Sequence, residues 1–397
     1  MADDIKRLLW DSIEQQSPEL FKLACDIFDR PENGYQEFYA SGLLSDYLER
    51  SGFSVERGAC GLATAFRAEW ENGSGGPVIG FLGEYDALNE LGHGCGHHLQ
   101  TPACIGAAMA LRKHLDDVPY KLVVYGTPAE ETTGGKIDMI EAGCFRELDV
   151  AFSYHSGRTT GVSGGSKALQ SATATFHGIP SHASSSPHLG RSALDAMVLS
   201  FHGVECMREH LMDGSRVHYT VREGTGPSNI VHERAVAAYT LRAPDRPYLE
   251  DMTRRFKKII EGAAMMTETR YEISLTAPFY NLISIPALNQ AALANEEFYR
   301  LPRIERTQAS NGGSTDFGNV SWVVPSVMVY TYYCDAPGHS KEWVAAGKSE
   351  AARESMISGA AVMAATAYDV ITRPDLWALV KEQFRQKTSG PGMSSFA

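Results

Sequence analysis

Four short apolar runs, PVIGFLG (77–83), KLVVYG (121–126), DVAFSYH (149–155) and PSVMVYTYY (325–333), most constrain what this chain can fold into. They are nearly continuous in apolar character rather than alternating, and helical periodicity such as that of 102–115 separates them. Strands of that kind are buried on both faces, so the pattern predicts an α/β fold whose mostly parallel sheet carries helices on both sides. A polar cluster follows or ends each run: Glu84 and Asp86, Glu130 and Glu131, His155, and His339. In open α/β sheets the ligand crevice lies outside the carboxyl ends of the strands, so these clusters are expected to converge.

Between 168 and 280 the order changes to strand, helix, strand, strand, helix, strand. That is the ferredoxin-like split βαβ pattern. Its first helix shows Leu194, Met197, Val198, Phe201 and Val204 at a helical period, which predicts one buried face. The expected organisation is a discontinuous domain of residues 1–167 and 281–397, with an α+β module at 168–280 inserted into it. A length of 397 residues suits two such units.

GHGCGHH at 92–98 places Cys95 and His97 two residues apart in a glycine-rich turn, where a thiolate and an imidazole can reach one borderline metal such as zinc. The bland alternative is a tight turn with solvated histidines. Glu130 and Glu131 are adjacent after a strand and point in different directions, so one can hold a metal while the other works as a general base. An acidic pair on a loop is ordinarily just solvated, but the LVVYG strand before it places this pair at the crevice. His155 and His339 are weak alone and gain weight from lying at the same sheet edge. His182, in GIPSHASSSPH of the module, reads either as a loop histidine or as a donor to an oxyanion from a second domain or subunit. Together these residues point to hydrolysis by metal-activated water. GVSGG (161–165) lacks the strand a serine elbow needs, and GKS (347–349) lacks the first glycine of a phosphate loop.

Composition narrows the partners. A formal charge of −12 argues against a nucleic-acid or anionic-membrane surface. No uninterrupted run of 18 apolar residues occurs, and the first residues lack a secretory pattern, so a cytoplasmic protein is expected. Seven scattered cysteines make a poor disulfide framework, and most are expected to be small buried hydrophobes.

GEYDAL (83–88), GHGCGH (92–97), GTPAEETTGGKIDMIEAG (126–143), GIPSHAS (178–184), PSNIVHERA (227–235), GGSTDFGNVSWVVPS (312–326) and APGHS (336–340) follow one another along nearly the whole chain. In this the chain resembles the M20 family of metal-dependent amidohydrolases, in the branch of p-aminobenzoyl-glutamate hydrolase and related dipeptidases. The resemblance implies two divalent ions, zinc or manganese with cobalt tolerated, held by Cys95, His97, Glu131, His155 and His339, with the Cys95 thiolate able to bridge them. It implies that Asp86 orients a ligand, that Glu130 is the general base, and that His182 stabilises the oxyanion. It further implies that Asn229, Arg242, Gly312 and Gly313 hold the substrate end, and that the module is a lid and dimerisation domain of a homodimer.

The chain departs from the branch at Asn89, Glu90 and His98, with Gln100 nearby, which leaves the substrate open. The expected activity is cleavage of an amide in a small carboxylate-bearing substrate, an N-acyl or aminobenzoyl amino acid or a dipeptide. The alternatives are a deaminase acting on an aryl or amidine-like C–N bond, and a non-catalytic binding protein on the same fold.

Overall fold

The computed structural model describes residues 2–306 and 313–389. They fall into two units: one runs up to Gly165 and resumes at Leu282, and the other spans Ser166–Asn281 and takes in Gly313 and Ser314. Along the chain the strands are β1 (Ser54–Arg57), β2 (Phe66–Asn72), β3 (Val78–Gly83), β4 (Tyr120–Gly126), β5 (Val150–Gly157), β6 (Gly161–Val162), β7 (Ala168–His177), β8 (Arg216–Glu223), β9 (Arg234–Ala243), β10 (Arg270–Leu275) and β11 (Ser326–Tyr332).

The first unit holds a sheet of order β1-β2-β4-β3-β5-β11-β6. Its centre, β4-β3-β5-β11, is parallel and is built from the four apolar runs. The flanking β1, β2 and β6 are antiparallel. Side chains alternate across this sheet. Ile79, Phe81, Leu122, Val124, Phe152, Tyr154, Val327 and Val329 share one face, which helices Gln100–His114 and Glu350–Thr372 cover. Tyr154 is hydrogen-bonded to Ser355 of the second helix at 2.7 Å, and a Cβ on Gly359 would lie 2.2 Å from the Tyr154 ring, so only glycine lets that helix lie so close. Leu82, Val123, Tyr125, Ala151 and Met328 face the other way, into a core with Met139, Ile140, Phe145, Phe317 and Val320. Both faces of the sheet are therefore dry, and the strands' carboxyl ends carry the polar clusters.

One helix, Glu350–Thr372, is long and apolar enough to cross a membrane, yet 83% of its apolar window is buried inside the protein. Its interior position accounts for its composition. Cys60 and Cys144 lie side by side, a candidate pair that their scatter in sequence does not suggest, because the β1–β2 connection passes beside the end of helix Gly135–Glu141.

Glu296, in helix Pro286–Phe298, is fully buried, and neither carboxyl oxygen finds a hydrogen-bond partner among the described residues. Burial pushes its carboxyl up to about 8, with the Glu297 charge acting in the same direction. A raised folded pKa means that the stabilising difference is fully present below the unfolded pKa of about 4.3 and is lost as pH rises through about 8. Urea unfolding of Glu296→Gln between pH 5 and 9 should therefore show a flatter pH dependence than the native chain. The difference should reach roughly 4 kcal/mol at about 1.4 kcal/mol per pKa unit. Parallel slopes for the two proteins would refute the buried carboxyl as their source.

The second unit is a four-stranded antiparallel sheet of order β10-β7-β9-β8, with helices Ala193–Arg208 and Arg246–Met266 packed on it. Spatial order fourth, first, third, second is what two interleaved βαβ halves give. Its core includes Met197, Val204, Tyr239, Leu241, Met252 and Phe256. Val198, which the sequence period assigns to the buried face, is 42% exposed. Asp245 and Ser192 cap the two helices by accepting from Tyr248 N–H and Asp195 N–H.

Candidate active site

The loops after β3 and β4, the end of β5 and the loop after β11 bring their polar residues together in the first unit. Four overlapping donor groups result: Cys95, His97 and His155; Cys95, Glu131 and His339; His97, Glu130 and Glu131; and Glu84, Glu130 and Asp316, the donor atoms within each group lying within 4.8 Å of one another. His155 lies inside β5, whereas the apolar run placed it at the strand's end.

The two inner histidines each have Nδ1 fixed by an oxygen acceptor, which turns Nε2 toward the other donors. His155 Nδ1 is 2.7 Å from Ser156 O, a contact in which the ring nitrogen must donate, and Nε2 then faces Cys95 Sγ at 3.3 Å. His97 Nδ1 is 2.8 Å from Asp86 Oδ1, and the other Asp86 oxygen accepts Glu131 N–H at 2.9 Å. One buried carboxylate thus orients both an imidazole and the peptide that carries Glu131. The turn between Cys95 and His97 needs glycine, since Gly96 has φ +85° and a Cβ there would meet Ser156 Oγ at 2.3 Å. His339, itself at φ 61°, is tied to the same turn by its N–H on Gly94 O at 2.8 Å. His93 and His98 are buried and direct Nε2 to Ile27 O and Gly347 O, so they anchor the turn from behind.

These residues fit a divalent cation. A thiol, three imidazoles and a carboxylate converge, with the second nitrogens of two imidazoles already fixed by oxygen acceptors, as metal-ligating histidines require. Glu131 Oε1 is buried without a hydrogen-bond partner, although His339 Nε2 lies 3.5 Å from it. A buried carboxylate oxygen so placed, beside a thiol and imidazoles, fits a cation ligand.

Beside the donors lies a network whose roles the sequence motifs leave unassigned. Lys136 is fully buried and donates to Glu84 Oε1 at 2.6 Å and Asp316 Oδ1 at 2.7 Å. Glu84 Oε2 accepts from Gln100 at 2.7 Å and lies 3.1 Å from His97 Nε2. Burial opposes the Glu84 charge, but Lys136 and His97 outweigh it and hold the carboxyl down at about 2. Glu130 groups with Glu84 and Asp316, and burial followed by those two negative charges pushes its carboxyl well above the usual range. Lys136 and Asp316 lie within stretches already recognised as motifs, but a lone Lys or Asp gives no sign of burial in sequence.

The remaining candidates lie in the second unit. His182 pairs with Ile230 across an isolated bridge, and Ala183 N–H donates to Asn229 O at 2.9 Å, so His182 and Asn229 share one exposed loop pair. His182 Nδ1 accepts N–H groups of Ser184 and Ser185, both at 3.2 Å, which leaves the proton on Nε2. Arg242 on β9 donates to Ser314 Oγ at 3.1 Å, and Gly313 O accepts Lys167 N–H at 2.9 Å. Gly312 lies outside the described residues.

A two-sided α/β sheet thus carries a thiol, imidazole and carboxylate cluster at its carboxyl edge, a candidate metal centre. Residues 80–369 match the model of peptidase family M20/M25/M40, and the chain belongs to that family. It is 36% identical to the mouse (Mus musculus) Xaa-Arg dipeptidase over 96% of this chain and 93% of that one. It is 31% identical to a component chain of the p-aminobenzoyl-glutamate hydrolase of Escherichia coli, over 97% and 96% of the two chains. The aminobenzoyl-glutamate utilization protein of Klebsiella pneumoniae shares the fold with a TM-score of 0.72 at 20% identity, over 91% of this chain and 98% of that one. The protein is a metal-dependent hydrolase of amide bonds.

Proposed function

We propose that the enzyme releases an amino acid from a dipeptide or from an N-acyl or aminobenzoyl amino acid, with two divalent ions, zinc or manganese, held by Cys95, His97, Glu131, His155 and His339. The observation that carries this reading is the sharing of Cys95 between one donor group containing His97 and His155 and another containing Glu131 and His339. Five donors cannot close two separate four-coordinate sites, and open positions are what a catalytic site needs. The named activities of the mouse and E. coli relatives support the substrate class, a carboxylate-bearing amide.

Divalent ions held by these residues would supply Lewis acidity toward the scissile carbonyl and lower the pKa of water. Glu130, whose burial raises its affinity for a proton, takes that proton from the attacking water and delivers it to the leaving nitrogen. Asp86 fixes the His97 tautomer and the Glu131 peptide. His182 offers its Nε2 proton to the oxyanion, Arg242 offers a guanidinium that suits the substrate carboxylate, and Asn229 with Gly312 and Gly313 holds the same end.

The proposal includes a homodimer through the second unit. Its edge strand β8 has no outer partner among the described residues and exposes Tyr219 and Val221, with Val198 exposed on the neighbouring helix. A cytoplasmic location is proposed with it; the five unpaired cysteines, Cys95 among them, support it, and the Cys60–Cys144 pair stands against it.

Mass-spectrometric product analysis tests the reading, using manganese- or zinc-loaded protein, a panel of dipeptides, N-acyl amino acids and aminobenzoyl-glutamate, and a chelator control. Chelator-sensitive release of a free amino acid is expected, from a species sedimenting at about twice the 43.3 kDa chain mass. Ammonia released from aryl amines with the amides untouched, or a monomeric mass, would overturn the corresponding part.

A further inference from the structure

We infer that the turn joining the first two helices, residues 29–37, is a brace that positions the Glu130–Glu131 turn, and that Glu37 is its central positioning residue. The inference rests on the reading of Glu130 as base and Glu131 as ligand, and adds what holds them.

The segment PENGYQE (31–37) connects helix Ala2–Phe28 to helix Phe38–Arg50 and, together with the last turn of the first helix, touches the loops behind the candidate site one after another. Ile27 O is 3.2 Å from His93 Nε2, beside Cys95. Glu32 O accepts Ala87 N–H at 2.8 Å, next to Asp86. Tyr35 hydroxyl donates to Asp138 in the helix that carries Lys136. Glu37 reaches the residue just before the carboxylate pair: one oxygen accepts Ala129 N–H at 2.8 Å, and the other accepts the Thr64 hydroxyl at 2.9 Å.

Two further observations set Glu37 apart from a residue that merely caps a helix. It occupies the position before helix Phe38–Arg50, yet makes no cap bond to it. That task falls to Glu32, whose two oxygens accept Tyr39 N–H at 2.9 Å and Ala40 N–H at 3.0 Å. The Glu37 carboxylate is fully buried and spent instead on Ala129, a non-glycine residue at φ 62° immediately before Glu130. A left-handed alanine is strained and persists only when its surroundings impose it. The bond from Ala129 N–H to Glu37 is such an imposition, and the close approach of Gly34 is another. A Cβ on Gly34 would lie 3.0 Å from Ala129 Cα and Cβ and 2.3 Å from Thr132 Oγ1.

The test compares Glu37→Ala, Glu37→Gln and Gly34→Ala with the native enzyme and with Glu130→Gln. Two readouts are taken: kcat and KM on the most rapidly cleaved amide, and zinc affinity of metal-stripped protein by competition with a chromogenic chelator. Glu37→Ala and Gly34→Ala should each lower kcat about 10- to 100-fold with little change in KM, and weaken zinc binding, as loss of residues that orient metal ligands does. Glu37→Gln should restore both, because its amide oxygen can accept Ala129 N–H and its amino group can donate to Thr64. If Glu37→Ala fails to fold, Gly34→Ala, which presses on the same turn, decides alone.

Native kcat and zinc affinity in the Ala variants, with Glu130→Gln inactive, would overturn the brace and leave the base assignment standing. A loss that Glu37→Gln does not restore would also overturn it, by making charge rather than hydrogen bonding the cause. Should Glu130→Gln turn over normally, the base assignment falls, and zinc affinity still judges the brace through Glu131.

Discussion

Glu130→Gln is expected to lower kcat by about 10²- to 10⁴-fold, the usual contribution of a positioned general base, while the protein keeps its metal and its fold. Glutamine has the shape of the carboxylate and can still hydrogen-bond to water, but it cannot take a proton. The surroundings of Glu130 make the distinction sharp. Burial and the neighbouring Glu84 and Asp316 charges favour its protonated form, so an ionised Glu130 gains more by accepting a proton than a solvated carboxylate does. Glu130 also groups with His97 and Glu131, so it could instead serve as a metal ligand. Metal content by mass spectrometry separates the two roles. A base variant keeps the ions and loses turnover, whereas a ligand variant loses ions in proportion to activity. Near-native turnover with full metal content removes Glu130 from the reaction.

Much of this architecture is legible in the sequence because apolar runs and helical periods are local signals. The parallel centre of the sheet follows from four dry runs, each found within a residue or two of its place. The antiparallel β1 and β2 are not legible, since SVER ends in two adjacent charges, FRAEWEN carries charges at alternate positions, and both bury too little to read as part of a two-sided sheet. Cys95, His97, Glu131, His155 and His339 converge as expected, because strand ends in a parallel sheet share one edge whatever lies between them. Glu37, Lys136 and Asp316 were invisible for the opposite reason. Their positions depend on which distant backbone groups and charges they meet, and a polar residue on a loop looks the same in sequence whether it is solvated or fully buried.

Lys136→Met is expected to destabilise the first unit by about 3–5 kcal/mol, the cost of removing one partner from a buried ion pair. Lys136 is fully buried, and its ammonium is shared between Glu84 at 2.6 Å and Asp316 at 2.7 Å, so methionine would fill the volume while leaving two buried carboxylates without their cation. The backbone responds as well, since Lys136 N–H donates to the second Asp316 oxygen at 3.0 Å at the start of helix Gly135–Glu141. Urea unfolding of the single variant and of Lys136→Met with Asp316→Asn distinguishes charge from packing. The asparagine keeps an acceptor for that N–H and removes one unpaired charge, so the double variant should be less destabilised than the two single losses added together. Additive losses would mean that packing, not charge, holds the site. Buried ion pairs are rarely the most stable solution, and an apolar trio of similar volume is often as good or better. What this one does that an apolar trio cannot is hold Glu84 ionised against His97 Nε2, and keep the only fully buried lysine among the described residues within reach of the base.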